Sequence, residues 1–216
     1  MSSPSTPRII KGGIALLDPA TGTVLRIVAL QYNPDTLTRS LQIKGAGAET
    51  GDHIEALRLK GPPVETIKLE CEIDAADLLE AGDTEVTQVG LHPTLAALET
   101  IVYPTSVQLI ANNGQASGGS LEITPIQAAL TVFVFGRGRI VPVRITELSV
   151  TEEAFDVSLN PIRAKISLTL KVLSVDDLGF DAPGGGLFLT YLQSKEQLAQ
   201  RSKAGTFGAL GITGLS

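Results

Sequence analysis

A nucleophile or an acid does chemistry only when a second group orients it or takes its proton. This chain offers few such pairs. Its two histidines, His53 and His92, are far apart, and no His-x-x-x-His or Cys-x-x-Cys spacing occurs. The usual zinc ligand sets are therefore missing. His92 stands before Pro93 and reads as a helix cap, while His53 lies in a long loop with no identifiable partner. The single Cys71 falls on the apolar side of an alternating segment, where a thiol serves as a small hydrophobe rather than a nucleophile. Glu152-Glu153 and Asp176-Asp177 are adjacent acids. Neighbours in a strand face opposite ways, so neither pair makes an acid/base dyad, and both read as solvated strand ends. Gly184-Gly-Gly186 precedes a helix but lacks the Gly-Lys-Ser/Thr ending of a phosphate loop, and reads as a linker. Gly136-Arg-Gly-Arg139 is a basic turn with solvated arginines, its other reading being a partner-binding tip. The expectation is a non-enzyme: no catalytic residue, no cofactor and no metal.

The elements that would carry chemistry are mostly strands. From Val64 to Ile73, Ile67, Leu69, Cys71 and Ile73 alternate with polar residues. From Ile162 to Val172 the even positions are apolar and the odd ones polar. Period two puts one set in a core and the other in water or an aqueous lumen. Arg163, Lys165 and Lys171 on that polar face are candidates to face a lumen. Segments 14–17 and 23–32 flank Asp18-Pro-Ala-Thr-Gly22 and predict a hairpin. Leu37, Leu41 and Ile43 mark a further strand, and 129–135 is apolar on both faces, as in a central strand. In 140–150 the apolar phase slips between Ile145 and Leu148, which predicts a bulge. Helices are predicted over 74–81 with Asp74 as cap, over 93–103 with Leu91, Leu95, Leu98 and Val102 as its stripe, and over 187–201. Loops are predicted at 44–63, 112–120 and 180–186.

Composition narrows the class. Hydrophobic residues make up 43% and charged residues 19%, which is the balance of a globular chain. The net charge of −6 and the lack of a dense basic cluster argue against nucleic acid. With 4% aromatics and no Trp, stacking platforms for bases or sugars are not expected. No apolar run approaches the roughly 20 residues that cross a bilayer, and the first residues lack the apolar core of a signal peptide. Synthesis in the cytoplasm without membrane insertion is the expectation.

Two phrases carry a resemblance. One is Leu30-Gln-Tyr-Asn-Pro34, and the other is Phe155-Asp-Val-Ser-Leu-Asn-Pro-Ile-Arg-Ala164. With Val132-Phe-Val-Phe-Gly136 between them and Tyr191-Leu-Gln-Ser194 after them, they resemble the tube-protein family of contractile injection systems, which are phage tail-like particles. The resemblance spans roughly 10–200 and rests on Tyr32, Asn33, Pro34, Gly136, Phe155, Asn160, Pro161 and Arg163 as structural markers. It implies a mainly β, phage tail-tube-like fold: a β-barrel or two packed antiparallel sheets with flanking helices, six copies forming a hexameric ring. The domain plan is a flexible N-terminus over 1–9, the β domain over 10–179, a closing helix over 180–202 and a Gly-rich tail over 203–216.

Within the family the chain looks like the tube initiator, or hub adaptor, of the baseplate. That structural protein links the central spike to the inner tube. The expectation is an adaptor without the lysin-motif domain that several such proteins carry after the closing helix, since a short Gly-rich stretch follows Arg201 here. The implied partners are the chain itself as a homo-oligomeric ring, the inner tube protein and the spike or hub protein, with sheath and other baseplate proteins in reach. The assembled particle would be cytoplasmic or extracellular. The loop holding Gly47, Asp52, His53, Leu57 and Leu59 falls where this fold has its stacking extension. A main inner tube subunit is the alternative position. A small-ligand-binding β-barrel, with Phe133 and Phe135 lining a pocket, is the alternative of a different class.

Overall fold

The computed structural model describes residues 10–45, 58–117, 127–202 and 205–215. Seven strands form one antiparallel sheet: β1 (Gly13–Leu17), β2 (Val24–Ala29), β3 (Leu37–Gln42), β4 (Val64–Asp74), β5 (Leu130–Val134), β6 (Ile140–Phe155) and β7 (Pro161–Val172). Their order is β2-β1-β5-β6-β7-β4-β3. The protein is mainly β, as expected, but the ladder is a single open sheet and not a closed barrel or two sheets. Among the described residues β2 and β3 are its edges and do not pair.

The sheet is nonetheless curled. A flat one would hold β2 and β3 about 29 Å apart, from six gaps of about 4.8 Å. Leu30 is still tied to β1 through its N–H to Gly12 O. The seven steps from Leu30 to Leu37 reach at most about 25 Å. Side chains hold the bend. Gln31 donates to Asp74 O (2.6 Å) and accepts from Asp74 N (3.0 Å), joining the exit of β2 to the end of β4.

Register keeps the period-two series on one side. Ile14 faces Phe133, Phe133 faces Val141, and Leu168 pairs with both Leu148 and Leu69. These residues join one buried cluster with Ile67, Cys71, Ile73, Ile166 and Leu170, except that Leu148 is only partly buried. The predicted bulge is present: the β6–β7 register shifts between Ile145 and Glu147, and the extra Thr146 donates to Thr169 O. β6 runs on to Phe155. Glu152 and Glu153 thus sit within the ladder, opposite Ala164 and Arg163, with Glu152 exposed as expected and Glu153 partly buried.

The helices are α1 (Ala76–Glu80), α2 (Thr84–Val89), α3 (His92–Glu99), α4 (Ser106–Ser117), α5 (Val175–Leu178) and α6 (Pro183–Gln200). Leu91, Leu95 and Leu98 from α3 and its cap, and Phe188 and Tyr191 from α6, bury in the same cluster as the strands. Val102 lies beyond α3 and is exposed.

Several expectations need correction. His92 does not cap α3; the cap is Leu91 and His92 is the first helical residue. Asp74 accepts from Ala76 N at 2.7 Å, one position ahead of the N-cap Ala75. Asp176 and Asp177 belong to α5, where Ser174 and Asp177 form a capping box. Gly184–Gly186 is no linker but the first turn of α6. There a Cβ on Gly185 would collide with the Gly179 carbonyl oxygen, so glycine permits a backbone-to-backbone crossing. Residues 112–117 belong to α4 and not to a loop.

Candidate assembly surface

Both edge strands carry exposed apolar side chains. On β2, Leu25 and Ile27 are 60% and 68% exposed, on the side opposite the buried Val28. At the far edge Leu41 and the following Ile43 are also exposed. An edge strand offers unpaired backbone donors and acceptors, and apolar side chains beside it favour pairing with a further strand.

The β6–β7 hairpin tip is a second apolar projection. Phe155, Val157 and Leu159 are exposed around it. Its shape is set from within: Asp156 accepts from Ser158 N, Asn160 N and Asn160 Nδ2, and these bonds, led by those from Asn160, hold its carboxyl below the usual range. Asn160 Nδ2 also donates to Gln88 O, tying the tip to α2.

The residues that carry the resemblance make structural contacts. Asn33 accepts from Gly12 N (2.8 Å) and donates to Ile10 O (2.9 Å), so it locks the approach to β1. Tyr32 is exposed beside it. Pro34 follows in the same connection, and Pro161 is buried at the start of β7. Gly136 has φ 78° and turns β5 into β6, with Phe135 N donating to Arg139 O and Arg139 standing over the Phe135 ring. Of the proposed stacking loop, Gly47, Asp52, His53 and Leu57 lie outside the described residues. Leu59 is exposed and bridges Gly45.

The polar stripe on β7 is neutralised residue by residue. Arg163 meets Asp74 (2.7 Å) and Glu72 (3.3 Å), Lys165 meets Glu153 (2.9 Å), and Lys171 meets Asp177 (3.0 Å). The Ala76 amide and Arg163 hold the Asp74 carboxyl below its ordinary range. Burial pushes Asp177 up, but the Ser174 amide and Lys171 outweigh it and leave it lowered. A lumen lined by this face would carry ion pairs and not bare cations.

Cys71 is buried, and desolvation pushes its thiol up to about 11. No group of three or more His, Cys, Asp or Glu fit to hold a metal ion occurs among the described residues, and none of their helices is long and apolar enough to cross a membrane. Phe133 is wholly buried and stacked on Phe135 at 5.9 Å, which places it in the core and not on a pocket wall. Two features escaped the sequence reading. The enclosed Glu65 accepts from Tyr191 Oη (2.9 Å) and Lys195 Nζ (2.7 Å), clasping α6 to β4. Arg26 lies on the core side of β2. Each had one visible sign, a charge at an otherwise apolar phase.

No family model and no curated protein matches the chain.

Proposed function

We propose that this chain is a structural ring subunit of a contractile injection system, with no catalytic role. Its place is the adaptor or initiator ring between the baseplate spike and the inner tube. One observation carries the reading: among the described residues both edges of the sheet are unpaired and lined by exposed apolar side chains, Leu25 and Ile27 on one and Leu41 and Ile43 on the other. A head-to-tail contact of one edge with the other repeats from copy to copy and closes into a ring if the rotation permits. In this reading the sheet is the tail-tube-like fold opened at the subunit boundary, and pairing between copies completes the barrel. Six copies, and contacts with the inner tube, spike, sheath and baseplate proteins, follow from the resemblance in the tube-protein phrases. So does life as part of an assembled particle, cytoplasmic or extracellular.

Negative-stain microscopy of the purified chain, alone and with spike and inner tube proteins, tests the assignment. Six-fold rings that cap the spike support the adaptor, and long stacks of the chain alone support a main inner tube subunit. A chain that stays monomeric with both proteins present overturns both positions. Ile27→Lys places a charge on the β2 edge and is expected to abolish rings while leaving the melting temperature within about 2 °C, since exposed substitutions change stability little.

A further inference from the structure

The chain has four asparagines, and their followers divide them. Asparagine loses ammonia when the next residue's backbone nitrogen attacks its side-chain amide carbon. Asn33 and Asn160 each precede proline, which has no N–H to give up, so this route is closed to both. Asn112 precedes the bulkier Asn113. Asn113 precedes Gly114, whose nitrogen attacks most freely because no Cβ hinders it.

Asn113 and Gly114 are exposed in the second half of α4. A Cβ added to Gly114 would meet nothing within 4 Å, so that side of the backbone is open to water. A closed helix protects the pair. Its ladder commits the Gly114 N–H to the carbonyl four residues back, and helical ψ keeps that nitrogen from the side-chain carbon. Yet α4 is weakly held. None of residues 106–114 is buried, and Val107 and Ile110 stand largely in solvent. A helix of 12 residues is marginal without packing, and an internal glycine weakens it further. Segments with so little burial open at almost no cost in free energy.

We propose that Asn113 is a site of spontaneous modification, converted through a succinimide to aspartate and iso-aspartate each time α4 opens. The Gly114 nitrogen bonds to Asn113 Cγ, the Cγ–Nδ2 bond breaks, and ammonia leaves with the proton that the Gly114 nitrogen gives up. Water then adds to either ring carbonyl and opens the ring to a carboxylate. Residues 100–121 include no charged side chain, so this carboxylate is the first charge on that stretch. It lies toward the C-terminal end of α4, where the helix dipole disfavours a negative charge. Iso-aspartate also adds a carbon to the backbone, which breaks the ladder. Modification therefore turns a transient opening of α4 into a lasting one. None of this depends on the ring assignment.

The test ages the full, unaltered chain at 37 °C in neutral buffer, with a second sample in urea. Cleavage after Glu99 and Glu122 then releases 100–122 for mass spectrometry. The expected result is a gain of about 1 Da at Asn113 in both samples. The native chain should convert no more than about tenfold slower than the chain in urea. Hydrogen exchange of the same peptide should speed up in the aged native chain. Conversion in urea alone, in neither sample, or at Asn112 instead, overturns the proposal. So does a converted chain whose exchange is unchanged. Gly114→Ala should convert more slowly in both samples, and equal rates would show that the Gly114 nitrogen is not the attacking group.

Discussion

Glu65 shows how one residue sets local geometry. It is 4% exposed, on the face where its neighbour Ile67 is wholly buried. Tyr191 and Lys195 satisfy its oxygens, and Arg39 approaches at 3.6 Å. Lys195 also lies over the Tyr191 ring, 4.0 Å from its centre. Removing one partner of an enclosed pair leaves the others desolvated, at a typical cost of 3–5 kcal/mol. Lys195 is partly in water, so Glu65→Gln is expected to lose about 2 kcal/mol in urea unfolding. Glu65→Leu with Lys195→Met should recover part of that loss. Acid sensitivity is also read at this scale. Asp74, Asp156 and Asp177 are all lowered from 3.8. A lowered carboxyl contributes stability above its unfolded value and loses it as pH falls through the folded value. The melting temperature should hold above about pH 5 and fall below pH 4, with a smaller fall in Asp74→Asn. Cys71, with its thiol near 11, should resist a disulfide reagent at pH 8 in the native chain and react fully in denaturant.

The elements were legible where periodicity was long. β4 and β7 alternate cleanly, and the structure places them side by side, Cys71 opposite Ile166. The slip at Ile145 announced the bulge because side-chain phase survives in sequence. α2 and α4 were missed because caps and not stripes define them. Asp83 accepts from Glu85 N and Val86 N, and Thr105 and Gln108 cap one another reciprocally. The Thr105-x-x-Gln108 spacing is the sequence sign of α4, whereas Asn112, Asn113 and Gly114 inside it are turn formers and read as a loop. The glycine turn of α6 was misread for a similar reason, since composition does not show that Gly179 crosses there. Two substitutions separate the glycines. Gly185→Ala should cost at least about 3 kcal/mol or prevent folding, because the backbone must part. Gly186→Ala meets nothing within 4 Å and should be stabilising by about 0.5 kcal/mol in thermal or urea unfolding.

At the scale of the whole molecule, pairing across the sheet is what sequence reading lacks. Period two says which face of a strand is buried but not which strand lies beside it, so it could not choose between one curled sheet and two packed ones. Strand order also hid a cavity beside Arg26, whose walls come from β1, β2, the end of α3 and the lead into β5. That order sets a timetable. β1 pairs with β5, and β4 waits for β7. A ribosome adding about 5–20 residues per second takes about 5–20 s to pass from Asp74 to Val172. For that interval β4 shows a bare apolar row, Ile67, Leu69, Cys71 and Ile73, with no strand to cover its β7 side. Nascent chains are thus exposed to mispairing until the last hairpin emerges. Truncation before β6 should yield insoluble protein, and slower synthesis in the cold without a holding chaperone should lengthen the vulnerable interval.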